Sequence, residues 1–397
     1  MLNTPFSPWP SFTPEEVEAV ASVLASNRVN YWTGDRCRTF EAHFADWVGA
    51  KHAVALANGT VALDVALKAL GIGPGDEVIT TSRTFLASAS CIVTAGAAPV
   101  FADVDANSQN ITAETIAAVL TPRTKAIICV HLAGMPCDME PIMALAETHG
   151  LKVIEDCAQA HGALYQGRSV GSIGHIGAWS FCQDKIMTTG GEGGMVTTDD
   201  PGLWEFMWSY KDHGKSWEAV YERPHPPGPR LVHDSFGTNW RMIEMQAAIG
   251  LVQLGRMAAW TRRRTEIANA LSNACASSEA LRLPVVPNHS VHAWYRFYAF
   301  VRPEALAPGW TRDRIVEAVT AGGVPCFHGS ASEVYLERAF DGTGWRPETR
   351  LPVAKALGET SLAFLVHPTL TDEEVELTCT VIGEVMRQAG SAPRVAS

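Results

Sequence analysis

Four short apolar runs constrain the fold of this chain most: Glu77-Val78-Ile79-Thr80, Pro99-Val100-Phe101-Ala102-Asp103, Lys125-Ala126-Ile127-Ile128-Cys129-Val130 and Lys152-Val153-Ile154-Glu155-Asp156. None of them alternates polar with apolar residues over its length. A strand apolar on both faces has to be covered on both faces. The stretches between the runs are helical in spacing, so the pattern predicts an α/β fold with a mostly parallel sheet between layers of helices.

The order changes after about Asp200. A Pro-rich stretch, His225-Pro226-Pro227-Gly228-Pro229, reads as a rigid surface loop. Asn239 to Ile249 then begins a long helix that is expected to extend through Arg256 towards Ala270. Tyr295 to Val301 reads as a strand, and Thr371 with Glu374 caps a final helix. With 397 residues, 47% of them hydrophobic, the chain is long enough for two cores. The expected division is a large domain over residues 1–255 and a smaller α+β domain over 256–397. At the other end, Thr13-Pro14-Glu15-Glu16 is a capping box with proline at the first helical position. It predicts a helix whose apolar face is Val17, Val20, Ala21 and Leu24, while Ala389 to Ser397 read as a frayed tail.

A formal charge of -11 and the absence of a basic run argue against nucleic acid or an anionic membrane as partner. Anionic small molecules remain open, since a few arginines suffice for them. Met1 to Pro14 lacks the apolar core of a signal peptide, and no apolar stretch approaches a membrane span. The nine cysteines are odd in number, scattered and without a C-x-x-C pair. Free thiols in a cytoplasmic protein without a zinc site are the expectation.

Chemistry concentrates around Lys185, in Ser180-Phe181-Cys182-Gln183-Asp184-Lys185. It lies between the acidic end of the fourth run, Glu155-Asp156, and the cluster Gly190-Gly191-Glu192-Gly193-Gly194. Open α/β sheets bind ligands at the carboxyl ends of their strands. An amine that forms a Schiff base and a carboxylate that pairs with a pyridinium nitrogen are what pyridoxal 5'-phosphate (PLP) requires. Asn58-Gly59-Thr60-Val61 follows the run Ala53-Val54-Ala55-Leu56 and opens a helical pattern through Leu63, Leu67 and Leu70. Such a helix start can seat a phosphate, although a plain cap is the commoner meaning. Phe85 could stack on a flat ring or fill a core, and Asp156 or Gln159 could merely cap the next element. Asp184 is expected to point to solvent, and His161 and His213 to be structural.

Taken in order, Asn58-Gly59-Thr60, Thr84-Phe85, Glu155-Asp156-Cys157-Ala158-Gln159, Ser180-Phe181 with Lys185, Gly191-Glu192-Gly193-Gly194 and Asn239-Trp240-Arg241-Met242 resemble the nucleotide-sugar aminotransferases. This is the DegT/StrS family of fold-type-I PLP enzymes, and the resemblance runs from Tyr31-Trp32-Thr33-Gly34 to Val366-His367-Pro368. It implies a seven-stranded type of sheet in the large domain and a homodimer with active sites at the subunit interface. It implies that Lys185 carries PLP, that Asp156 pairs with the pyridine nitrogen, that Gln159 contacts the ring hydroxyl and that Phe85 stacks on the ring. Gly59, Thr60, Val61 and Ser180 would hold the phosphate, joined by Asn239 of a neighbouring subunit. Arg241 and His328 are the candidates for substrate contact.

The implied reaction moves an amino group from L-glutamate to a nucleotide-linked keto-deoxysugar, by way of pyridoxamine 5'-phosphate, releasing 2-oxoglutarate. Family members with histidine in place of the lysine dehydrate deoxysugars instead; a dehydratase or lyase of the same fold is the alternative, from which Lys185 points away. Val61, Cys157 and Cys182 depart from the family's usual residues. No G-x-G-x-x-G follows the first strand, against a nicotinamide enzyme, and no basic appendage suggests a regulator.

Overall fold

The computed structural model describes residues 5–390. Among them, β1 (His52–Leu56), β2 (Glu77–Thr81), β3 (Ala98–Ala102), β4 (Thr124–Val130), β5 (Lys152–Asp156), β6 (Ile176–Ser180) and β7 (Gly194–Thr198) form a seven-stranded sheet ordered β1-β7-β6-β5-β4-β2-β3. The β2, β3, β4, β5 and β6 pairings are all parallel, and β7 runs antiparallel to both its neighbours. Neighbouring residues of one strand enter different cores. Val78 packs with Leu63, Leu67 and Ile154, while Ile79 packs with Ile127, Ile142 and Val153. This two-sided burial is the reason the runs read as continuously apolar.

Six of the seven strands therefore end at one edge of the sheet, and β7 begins there. The loops following β1, β2, β5 and β6, together with the glycine cluster before β7, meet at that edge.

A second, antiparallel sheet has the order Leu281–Arg282, Phe297–Val301, Ser361–Phe364, Cys326–Phe327. Its core gathers Ile267, Leu271, Phe297, Ile315, Val381 and Ile382, and Phe6 from the start of the chain packs against it. The helix Asp372–Ala389 opens on the expected box: Thr371 Oγ1 accepts from the Glu374 amide at 3.2 Å, and Glu374 Oε2 accepts from the Thr371 amide at 2.8 Å.

Three expectations need correction. The helix Pro14–Ser26 forms behind its capping box, but it buries Glu16 and Val23 and leaves Val17 63% and Leu24 53% exposed. Arg256 sets that rotation, because its Nη1 donates to Glu16 Oε1 at 2.8 Å and draws the carboxylate inward. The long helix is two, Glu244–Leu254 and Met257–Ala276, with Gly255 and Arg256 at the break. It starts at Glu244 because Asn239 and Arg241 are bridged to Asp212 and Leu56. At the far end, Ala389 is buried and its carbonyl accepts from the Ala307 amide at 2.8 Å, so it belongs to the core. The rest of the expected tail, from residue 391, lies outside the described residues.

Glu155 ties the sheet to its surroundings. Its Oε1 accepts from the amides of Ile173 (2.8 Å) and Gly174 (2.6 Å), and Oε2 from the Gly171 amide (2.9 Å) and His131 Nε2 (3.0 Å). His131 Nδ1 accepts from the Cys137 amide, which fixes Nε2 as the donor. His131, Glu155 and Cys157 bring ligand-type atoms within 4.8 Å of one another, but these hydrogen bonds already occupy the carboxylate and both ring nitrogens. Burial pushes the Glu155 carboxyl up, yet His131 and the amides outweigh it and hold it below its ordinary value of 4.5. A depressed folded-state value means stability that is present above the unfolded carboxylate's titration and lost as the pH falls through the folded one. Glu155→Gln is expected to lose about 2–4 kcal/mol in urea melts at pH 7. The gap to the wild type should narrow below pH 4.5.

Candidate active site

At the carboxyl edge of the large sheet lies a cavity of about 590 Å³, lined among others by Gly59, Phe85, Asp156, Gln159, Ser180 and Lys185. They arrive from four connections, at the ends of β1, β2, β5 and β6. The helix Gly59–Ala69 follows β1 and points its N-terminus at the cavity, capped by Asn58, whose Oδ1 accepts from the Val61 amide at 3.0 Å. Val61 thus lines the cavity with its amide already engaged. Gly59 and Thr60 supply the first turn's remaining N–H groups. A Cβ on Gly59 would stand 2.5 Å from the Cβ of Ser180, so only glycine lets the helix start and the end of β6 close into a cradle.

Asp156 ends β5 with Oδ2 accepting from Ser88 Oγ at 2.8 Å and Oδ1 from the Ala158 amide at 3.1 Å. Ser88 lies 2.9 Å from Thr84 Oγ1, so a chain of hydroxyls steadies the carboxylate. Burial raises the Asp156 carboxyl above its ordinary value, although Ser88, Ala158 and the charge of Lys185 pull it down. A buried carboxylate held this way gains from a cationic N–H donor placed beside it. Gln159 turns its Oε1 to the Ala133 amide at 2.8 Å, which leaves its NH₂ as the group free to act as donor towards a ligand. Phe85 is 70% exposed at the cavity wall, where an aromatic face awaits a flat partner.

Lys185 Nζ lies 3.6 Å from Asp184 Oδ1 and 5.2 Å from the centre of the Tyr295 ring. Asp184 does not simply face solvent as expected: its other oxygen accepts the Tyr295 hydroxyl, and its carboxylate is 48% exposed at the cavity wall. Burial opposes the Lys185 ammonium, but Tyr295, Asp184, Cys182 and Asp156 outweigh it and hold the amine above its ordinary value. Burial likewise opposes the Asp184 carboxylate, while Lys185, Tyr295 and Arg296 hold its pKa below the ordinary value.

The remaining candidates lie outside this cavity's lining. Asn239 is exposed, on the segment bridged to Asp212. Arg241 Nη1 donates to Asp212 Oδ1 at 2.6 Å, and Asp212 also accepts from Lys215 and the Trp32 indole. His328 is exposed, with Nε2 3.3 Å from Asp313 Oδ1. His161 is fully buried between Trp179 and Phe181, and burial pushes its imidazole down to about 3. His213 is exposed. Sequence reasoning missed Ser88, Tyr295 and Trp9, whose indole donates to the Lys185 carbonyl at 2.8 Å. Of these only Ser88 carried a local signal, one helical turn beyond Thr84.

A Schiff-base amine, a carboxylate for a ring nitrogen and an anion seat are the three demands PLP makes of a protein, and this chain gathers a lysine, a buried carboxylate and a helix N-terminus on the sheet edge where its fold places ligands. That defines the class as a PLP-dependent transferase of fold type I. The chain belongs to the DegT/DnrJ/EryC1/StrS aminotransferase family, whose model matches residues 10–383. It is similar to the crystallised aminotransferase from Psychrobacter cryohalolentis, with 63% identity, coverage of 96% of this chain and 99% of that one, and a TM-score of 0.96. It is 39% identical to the UDP-N-acetyl-3-dehydro-alpha-D-glucosamine 3-aminotransferase of Acidithiobacillus ferrooxidans over 88% of both chains. With the GDP-perosamine synthase of Caulobacter vibrioides it shares 38% identity over 87% of this chain and 89% of that one. The chain is therefore an aminotransferase rather than a dehydratase or lyase. Among the described residues no helix is long and apolar enough to cross a membrane.

Asp184→Asn should move the Lys185 amine to a lower pKa, since it removes one of the charges that raise it. The unprotonated amine is the nucleophile. The pH profile of Schiff-base formation between cofactor-free protein and PLP, followed by absorbance, should therefore shift to lower pH.

Proposed function

We propose that this protein transfers the amino group of L-glutamate to a keto sugar carried on a nucleotide diphosphate, with PLP as cofactor, as a cytoplasmic homodimer. The observation that carries the reading is the meeting of Lys185, Asp156 and the start of the helix Gly59–Ala69 in one cavity. Relatives named for UDP- and GDP-linked sugars support the substrate class. All nine cysteines are free, which suits a reducing compartment. We also assign residues 1–255 and 256–397 to two domains, divided between the helices Glu244–Leu254 and Met257–Ala276.

When bound, PLP supplies an electron sink for negative charge on the carbon that bears the amino group. Lys185 Nζ would be the amine that holds the cofactor and, when free, the base that takes a proton from that carbon and the acid that gives one back. Asp156 would keep a proton on the ring nitrogen, and the Gln159 NH₂ would be the donor for the ring hydroxyl. Gly59 and Thr60 would offer amides to the phosphate, with Val61 lining the seat and Ser180 Oγ donating, and Phe85 would cover a ring face and exclude water. Asn239 completes the phosphate seat of a second copy. Its segment carries Leu231 and Phe236, 82% and 98% exposed, which a second copy would cover. Arg241 and His328 serve the anionic substrate.

The visible spectrum of the purified protein tests this reading. A PLP band that fades on adding L-glutamate, with release of 2-oxoglutarate, is the expected result; a band that glutamate leaves unmoved would reject this donor. Lys185→Ala should lower turnover by about 10³-fold or more, while Asp156→Asn should both slow turnover and weaken PLP retention. Sedimentation should give twice the chain mass of 42.8 kDa. A fully active monomer would remove Asn239 from the site.

A further inference from the structure

We propose that Trp9 is a positioning residue for Lys185, reaching it from a strap formed by the beginning of the chain. This rests on the role assigned to Lys185 above. The peptide groups of Lys185 are held on both sides. Its N–H donates to the Cys182 carbonyl at 3.1 Å, a local turn, and its carbonyl accepts the Trp9 indole N–H at 2.8 Å. The second contact bridges 176 residues of sequence.

Trp9 is itself fixed. Its ring stacks on His367 with centroids 6.0 Å apart, meets Trp260 edge-on at 5.2 Å, and carries the Arg264 guanidinium 5.2 Å from its centre. Arg264 is 1% exposed; its Nη1 donates to the Trp294 carbonyl at 3.1 Å, while Nε and Nη2 have no hydrogen-bond partner among the described residues, so the indole face is one of the few groups that meet its charge. Just before Trp9 the strap is tied to the second sheet's surroundings. Phe6 packs into that core, the Ser7 amide donates to Glu374, and Thr369 Oγ1 donates to the Pro8 carbonyl at 2.8 Å. Trp9 thus couples the lysine's backbone to the packing of the second core, and a lysine whose backbone is fixed presents Nζ to the cavity in one place.

The test separates the N–H from the ring. Trp9→Phe removes the donor and keeps an aromatic face; replacing Trp9 by β-(3-benzothienyl)alanine keeps the bicyclic shape and puts sulfur where the N–H was. Cofactor-free protein is mixed with PLP, Schiff-base absorbance is followed with time, and kcat, the KM for L-glutamate and thermal melting are measured on the loaded protein. The expected result is Schiff-base formation and kcat each slowed roughly five-fold, the worth of one neutral hydrogen bond. The KM should be unchanged and the benzothienyl protein should melt within about 2 °C of wild type. A benzothienyl protein that matches wild type in rate and kcat would overturn the proposal, even if Trp9→Phe fails to fold. So would a lower melting point with both rates unchanged, which would make Trp9 structural only. Failure of the wild type to form a Schiff base would instead reject the PLP reading.

Discussion

The site depends on the two-residue period of one strand. Because β5 alternates its side chains, Glu155 and Asp156 face opposite sides of the sheet at the same end. Glu155 is turned into the protein and takes four hydrogen bonds, which fix the turn at Gly171–Gly174 and the His131 ring. Asp156 is turned to the cavity with two. A fully satisfied buried acid anchors the strand end, and a partly satisfied one beside it retains capacity for a ligand. Neither carboxylate could serve in the other's place.

Lys185 belongs to the same electrostatic arrangement. Its ammonium is flanked by Asp184 and faces Tyr295, with Asp156 further off, so the amine stays charged in the cofactor-free site. On the proposed reading, taking the amine into a Schiff base would alter the charge balance in which Asp184 stands. Asp184 then retains the Tyr295 hydroxyl and the field of Arg296, both of which already lower its pKa. The acid is therefore provided for in either state, and the lysine can be taken up and released without stranding a charge.

Local determinants were legible in the sequence and distant ones were not. The strands announced themselves because burial on both faces leaves an uninterrupted apolar run. Gly59, Asp156, Ser180 and Lys185 were legible because each sits at a strand end beside glycine or an acid within a few residues. The rotation of the first helix was not, since it turns on Arg256, 240 residues from Glu16. Tyr295 lies 111 residues from the Asp184 it holds, and Trp9 is similarly remote from Lys185. The break at Gly255 left the helical periodicity intact on both sides, so a continuous helix was the natural expectation.

Charge also explains why substrate contacts are harder to read than cofactor contacts. The cavity wall carries Asp156, Asp184 and Glu192 together with Lys185, a balance unsuited to a diphosphate. On the proposed reading the keto sugar enters and its diphosphate remains outside, among cations that the cavity does not supply. Arg241 and His328, the candidates for that contact, each stand against an acid, Asp212 and Asp313. Their pairing sets the cost of recruitment: a phosphate has to compete with the fully buried Asp212 for Arg241, whereas the exposed Asp313 holds His328 through a pair that solvent screens. His328 is therefore the easier of the two for a substrate to capture, and Arg241 the better suited to hold the segment that carries Asn239.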